Sequence, residues 1–226
     1  MKIQYKAMNP PVDDMRLLGQ LLRCPIGEKA QEVGDYLFAS NSQMIYTTID
    51  SLILHPNIKL LEIGFGNGKH LPYLFAKEAY LQYVGTEISA AMVAEAIANN
   101  RQRMEEGRVS FCQTAPDELP MQEAPFELCF SVNTIYFIDD LLRYCKAIYE
   151  ILAPQGKAVF TFIDKAVLEK APFAKEGFRL YTPEEIAQLF MQVGFKIVTQ
   201  KSFQEVLPTK SGKEITRYYW VITGDK

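Results

Sequence analysis

Residues 58–63, Ile-Lys-Leu-Leu-Glu-Ile, form a short apolar run that opens without a spacer into Gly64-Phe65-Gly66-Asn67-Gly68-Lys69-His70 and then into a helical pattern reaching Phe75. A buried strand turning through three closely spaced glycines into a helix constrains this chain more than any other feature. Without side chains at Gly64, Gly66 and Gly68, backbone N–H groups can approach a ligand, and the helix start behind them favours an anionic group. Glu87 narrows the ligand further. It stands 19 residues past Gly68, at the end of the next apolar run (81–87), where an acceptor-only carboxylate can take both hydroxyl protons of a ribose. Turn and carboxylate together specify a nucleoside-containing ligand. The spacing is GxGxG: Lys69 occupies the place of the third glycine in GxGxxG, and Gly68-Lys69 is followed by His70 rather than Ser or Thr, so neither the dinucleotide fingerprint nor the P-loop fits.

The same strand-then-helix alternation continues along the chain. Ser89 can cap a helix running toward Glu106 with Gly107 as its stop, residues 108–113 and 126–132 read as strands, and Asp139 or Asp140 can cap a helix with Leu141, Cys145, Ile148 and Leu152 on one stripe. Pro154-Gln155-Gly156 ends that helix before a strand over 157–163, and Thr182, Pro183, Glu184 and Glu185 make a capping box ahead of Ile186, Leu189, Phe190 and Val193. Residues 195–203 and 214–223 close the chain as an antiparallel pair with a turn at Ser211 and Gly212. The fold class is therefore α/β: a doubly wound, mostly parallel seven-stranded sheet with an antiparallel C-terminal hairpin. Before it, residues 1–54 read as an N-terminal helical cover, with Asp13 or Asp14 capping a first helix and Asn41 capping a second; residues 55–226 form the ligand-binding domain.

Composition excludes other classes. Twenty-seven acidic against 24 basic residues give a net charge of −3 with no basic patch, against nucleic-acid binding. No apolar run is long enough for a membrane span and the N-terminus lacks the apolar core of a signal peptide, so the expected setting is cytoplasmic. Cys24, Cys112, Cys129 and Cys145 form no CxxC pair, and His55 and His70 are the only histidines, so no metal is expected. His70 reads as an ordinary helix-start residue, since nothing acidic near it in sequence would orient it. The Lys-Ser-Gly-Lys cluster near 210 reads as a solvated hairpin tip.

With these motifs in place, the chain resembles the class I S-adenosylmethionine-dependent methyltransferases over roughly residues 58–200. Leu-Leu-Glu-Ile-Gly-Phe-Gly-Asn-Gly (60–68) is similar to their first motif, Glu87 to their second-strand ribose binder, Pro-Asp-Glu-Leu-Pro (116–120) to the loop beside the adenine, and residues 151–160 to their helix-to-fifth-strand junction. The nearer resemblance is to small-molecule enzymes related to quinone-biosynthesis C-methyltransferases. It implies a Rossmann-like methyltransferase fold and S-adenosylmethionine as cofactor. Gly64, Gly66 and Gly68 would line the methionine moiety, Glu87 would hold the ribose and Ile88 would pack on the adenine, with Glu62 also among the cofactor-binding residues. Ala115 and Pro116 would flank the base, and Ser131 and Val132 would present backbone to the methionine amino group and the transferring methyl. Ala115 stands where such enzymes often carry an aspartate, which leaves Asp117 or a backbone carbonyl to meet the adenine amino group.

Methyl transfer from a sulfonium is an in-line displacement that needs alignment and exclusion of water rather than a nucleophilic side chain, so no catalytic residue is assigned. The expected partner is a small-molecule acceptor, with Asn41, Met44, Asn133, Tyr136 and Phe173 as candidate contacts; an Asn cap and core aromatics explain Asn133 and Tyr136 as well. A non-catalytic module that binds S-adenosylmethionine or S-adenosylhomocysteine remains the alternative, and oligomeric state is not read from sequence.

Overall fold

The computed structural model describes residues 10–208 and 214–226. Its centre is a seven-stranded sheet of β1 (Lys59–Ile63), β2 (Gln82–Glu87), β3 (Val109–Gln113), β4 (Phe126–Val132), β5 (Leu152–Ile163), β6 (Ile197–Pro208) and β7 (Glu214–Asp225), in the order β3-β2-β1-β4-β5-β7-β6. The first five strands pair in parallel, whereas β7 runs antiparallel to both β5 and β6. Strand order reverses at β1, so the loops leaving β1 and β4 diverge there and open a crevice at their carboxyl ends.

Alternation along the strands sends neighbouring residues to opposite faces. On one face Leu60, Leu128, Phe130 and Val159 pack with Ile49, Leu71, Leu74 and Ala96. These come from α2 (Ala30–Ser51), α3 (Leu71–Lys77) and α4 (Ala90–Asn99); α1 (Met15–Arg23) precedes them. On the other face Leu61, Cys129 and Phe160 pack with Tyr144, Cys145, Ile148, Ile186 and Phe190. Those side chains belong to α6 (Leu141–Ile151) and α8 (Pro183–Val193); the short helix α5 (Arg101–Glu105) follows α4 and the short helix α7 (Lys165–Leu168) follows β5. Both faces being covered explains why the central strands are apolar throughout.

Helix signals in the sequence were followed closely at several ends. Asp14 accepts from the N–H groups of Arg16 and Leu17, Asp140 from that of Arg143, and Thr182 with Glu185 forms both arms of a capping box. Gly194 closes α8 in the left-handed region at φ 120°. Three local expectations differ from what is found. Asn41 does not start a helix: α2 runs unbroken from Ala30, because the turn at Cys24–Gly27 is followed by good helix formers and Asn41 has a tertiary partner described below. The helix expected to reach Glu106 breaks at Asn100, whose Nδ2 donates to the carbonyls of Gly68 (3.1 Å) and Ala96 (3.0 Å) in competition with the helical ladder. β5 begins at Leu152, not Lys157. Leu152 already pairs with Phe126 and the register then slips, so that Lys157 faces Leu128 and the Pro154–Gly156 segment bulges out with Gln155 at φ 66°. The Ser211–Gly212 turn and the Lys-Ser-Gly-Lys cluster lie outside the described residues.

The capping box gives a direct check on the helix that braces the β5–β7 side. Thr182→Ala should lower unfolding free energy by about 1 kcal/mol in a denaturant titration while donor affinity stays unchanged; a neutral variant would mean the cap contributes nothing.

Candidate functional site

All three glycines of the turn after β1 hold positive φ: 74° at Gly64, 60° at Gly66 and 65° at Gly68. Two different spatial reasons require glycine here. A Cβ at Gly64 would lie 2.5 Å from Thr134 Oγ1, and one at Gly68 2.9 Å from Asn100 Nδ2, so both positions sit against neighbouring loops. A Cβ at Gly66 would meet nothing within 4 Å, so this glycine keeps open the space into which a ligand would settle.

Glu87 faces that space from the end of β2. One carboxylate oxygen accepts from the Gly66 N–H (3.1 Å), the other from the N–H groups of Ile88 (2.8 Å) and Ser89 (3.0 Å). Burial pushes its pKa above the ordinary carboxylate value; the three N–H donors pull it back, and the nearby Glu62 pushes it up again, for a net rise. The carboxylate thus fixes the glycine turn relative to β2 and keeps lone pairs for the hydroxyls of a ribose.

Glu62, the acidic residue of the first motif, is itself held from behind. Its Oε2 bonds His70 Nε2 (2.7 Å) and accepts from Tyr83 Oη (2.7 Å), with all three residues buried. The acidic partner that His70 lacks in its immediate sequence is therefore supplied eight residues earlier, because strand, turn and helix fold back on one another. Asn67 completes the turn: its Nδ2 donates to Asp35 of α2 (3.1 Å), and Lys69 pairs with the same carboxylate.

One cavity joins these features. Glu62, Gly64, Gly66, Glu87, Ile88, Ala115, Pro116, Val132, Asn133 and Asn41 all line it. Gly68, Ser131, Met44, Tyr136 and Phe173 are not in its lining. Ser131 is buried and donates to the Ile63 carbonyl (3.1 Å), and Met44 is buried with its sulfur 3.5 Å from Asn133 Nδ2. Tyr136 is buried beneath Asn133, and Phe173 sits in a one-turn 3-10 helix (Pro172–Lys175) against Phe178 and beside Gly19 of α1. Asp117 accepts from the Asp139 N–H (3.3 Å) and Glu118 from that of Ala115 (3.3 Å), so both carboxylates after β3 are engaged with backbone.

The far wall belongs to residues that no motif marks. Gly34, Leu37, Phe38, Asn41 and Ile45 follow the 3.6-residue period along α2 and face the cavity as one stripe. The period is present in the sequence and becomes visible once the helix is extended through Asn41. Gly34 allows α4 to approach: a Cβ there would lie 2.7 Å from Met92 Sδ. At the other end Ser89 Oγ donates to the Pro25 carbonyl (2.5 Å), fixing the segment after α1 over Glu87. Cys24 lies in that segment, and burial first and the charge of Glu87 second push its thiol pKa up.

The family model for a methyltransferase domain matches residues 61–160. A Bacillus subtilis (strain 168) relative, the uncharacterized methyltransferase YdaC, is 27% identical over 130 residues, covering 57% of this chain and 70% of that protein. Together with the site geometry, these matches support a class I S-adenosylmethionine-dependent methyltransferase. Among solved structures, the partner of the Haloferax volcanii Trm112 methyltransferase activator shares the fold at TM-score 0.72 and 14% identity, over 95% of this chain and 98% of that one. A Thermotoga maritima S-adenosylmethionine-dependent methyltransferase does so at TM-score 0.59 and 22% identity, over 86% and 95%. The open cradle at Gly66 and the buried carboxylate of Glu87 fit the methyl donor that a methyltransferase domain implies. No helix among the described residues is long and apolar enough to cross a membrane.

Charge-assisted hydrogen bonds of roughly 1.5–3 kcal/mol each should make Glu87→Ala weaken S-adenosylmethionine binding by about tenfold to a few hundredfold in calorimetry. The carboxylate form accepts the ribose hydroxyls, so affinity should be full at neutral pH and fall as pH drops through the raised Glu87 pKa, with a midpoint above the ordinary 4.5. A variant with unchanged affinity, or a wild type with no such break, would contradict the assignment.

Proposed function

We propose that this methyltransferase acts on a small molecule with an apolar or aromatic portion, held between the strand ends and a helical cover to which the described residues 10–54 belong; residues 1–9 of the expected cover lie outside the described residues. The observation that carries this reading is the composition of the lining: Leu37, Phe38 and Ile45 of α2 line the cavity together with Phe137 and Ile138. Such an enclosure suits a compact apolar acceptor better than a protein or nucleic-acid strand, which would need an open groove.

When bound, S-adenosylmethionine supplies an electrophilic methyl group that already carries its activation. The chain's own residues have three tasks. Glu87 and the glycine turn bind and orient the nucleoside and methionine parts. Val132, at the end of β4, and Asn133, just after it, set the floor where the methyl acceptor meets the donor. The cover excludes water, which keeps the nucleophile poorly solvated and aligned.

The two halves of the cover are anchored to different parts of the molecule. The C-terminal half is fixed by Thr48 Oγ1 to Thr161 Oγ1 (2.7 Å), by Tyr219 Oη to Thr47 Oγ1 (2.9 Å) and by Arg217 donating to the Ser40 carbonyl (2.5 Å). The N-terminal half is tied instead to the loops of the donor site, through the Ser89–Pro25 bond and through Asn67 and Lys69 to the partly exposed Asp35. We therefore assign entry of donor and acceptor to movement of α1 and the segment through Gly27, with the second half of α2 staying in place.

Incubation with donor carrying a labelled methyl group and a fractionated cell extract provides the test. Label should appear in the small-molecule ultrafiltrate, and quinols, phenols and amines tried singly should yield S-adenosylhomocysteine with at least one. Label confined to protein or nucleic acid would overturn the small-molecule reading; donor binding without turnover in any fraction would favour a binding module.

A further inference from the structure

The polar floor of the acceptor side is a relay of side chains whose direction is set by one backbone group. The Ile163 N–H donates to Tyr136 Oη at 2.6 Å. With that lone pair occupied, the phenol directs its own hydrogen to Asn133 Oδ1, 3.0 Å away. The Asn133 amide is thereby oriented, and its Nδ2 reaches Asn41 Oδ1 at 3.0 Å and Met44 Sδ at 3.5 Å, two acceptors for its two hydrogens. The opposite orientation would set a carbonyl oxygen against the methionine sulfur and leave the buried phenol hydrogen without an acceptor. The order of donors therefore ends at Asn41: its oxygen faces Asn133, and its NH2 group, which has no protein partner among the described residues, belongs to a side chain lining the cavity.

The titratable groups around that cavity are Arg23, Glu62, His70, Glu87, Asp117, Glu118 and Tyr144. Glu62 is held by His70 and Tyr83, Glu87 by three N–H groups, and Asp117 and Glu118 by one backbone N–H each. Burial pushes the Tyr144 phenol up, away from any role as a base at neutral pH. The His70 ring is buried beneath the glycine turn with Nε2 bound to Glu62. What the acceptor side offers is a pair of amide hydrogens.

We propose that the Asn41 amide anchors an anionic oxygen of the methyl acceptor, and that the acceptor is a molecule already ionised in water, a phenolate or an enolate. This deepens the small-molecule reading and rests on it. The step balances without a protein base: a lone pair of the acceptor's oxygen, or of the carbon conjugated to it, forms the new bond to the methyl carbon as the carbon–sulfur bond breaks. That electron pair returns to sulfur, and the acceptor's negative charge and the donor's positive charge cancel. Asn41 holds the oxygen in line and favours the ionised form through hydrogen bonds to charge.

The test uses acceptor pairs matched in shape and different in acidity: 4-nitrophenol against 4-ethylphenol, and cyclohexane-1,3-dione against cyclohexanone. Donor binding is measured first by calorimetry; its failure would be a failure of the methyltransferase assignment rather than of this proposal. With donor bound, S-adenosylhomocysteine should form at least about tenfold faster with the acidic member of at least one pair, and the rising limb of kcat/KM against pH should move with the acceptor's own pKa. Asn41→Leu and Asn41→Asp should each lower kcat/KM roughly ten- to a hundredfold, with donor Kd and Tm unchanged. No turnover with either acidic member, equal rates within both pairs, or an Asn41→Leu enzyme at full rate would overturn the proposal. So would a pH limb that ignores the acceptor and disappears in His70→Asn, which would assign a base to His70.

Discussion

Everything at the donor end depends on one carboxylate. Glu87 receives N–H donors from Gly66 in the turn after β1 and from Ile88 and Ser89 at the start of the loop after β2, so a single buried side chain sets two loops relative to each other. Burial of that charge is unfavourable, and the three donors offset the cost only with both loops in place. The turn in turn needs positive φ at three successive alternate positions, and at Gly66 it needs empty space as well. Asn100 then fixes the Gly68 carbonyl from α4 at the expense of a helix break, and Asp35 reaches the same turn from the cover.

The acceptor end is organised on a different principle. Its direction is inherited from a strand N–H group in β5 and passed through Tyr136 and Asn133 to a helix that precedes the sheet in sequence. In the proposed reading the two ends divide the labour of the reaction: a rigid, charge-stabilised site for the donor and a hydrogen-bonded, mostly apolar chamber against the cover. Residues such as Met44 and Tyr136 support the chamber wall without lining it.

Much of this was legible in the sequence where local chemistry decides. Glycines in a strand-to-helix turn, a carboxylate closing the next strand, the Thr182–Glu185 box and the Gly194 stop each carry their own explanation, and each stands where the pattern placed it. The misreadings fall where tertiary partners override local preference. Asn41 looks like a cap because short amides favour helix starts, yet its partner is Asn133, 92 residues on. Asn100 interrupts a helix for a carbonyl in another loop. Glu62 meets His70 only after the chain has folded back, and the bulge that lets β5 begin at Leu152 answers to its pairing with Phe126. The α2 stripe was present as a period but hidden by the supposed break at Asn41.

In the proposed reading the glycine turn, Glu87 and the covering segment after α1 form one donor site. Hydrogen exchange with and without S-adenosylhomocysteine addresses it most directly. The account predicts slowed exchange at residues 64–68, 87–89 and 115–118 together with the segment 22–29, and little change over 40–51, whose side chains are already fastened to β5 and β7. Protection confined to another part of the sheet, or binding that leaves Gly66 and Ile88 exchanging at their ligand-free rates, would contradict it.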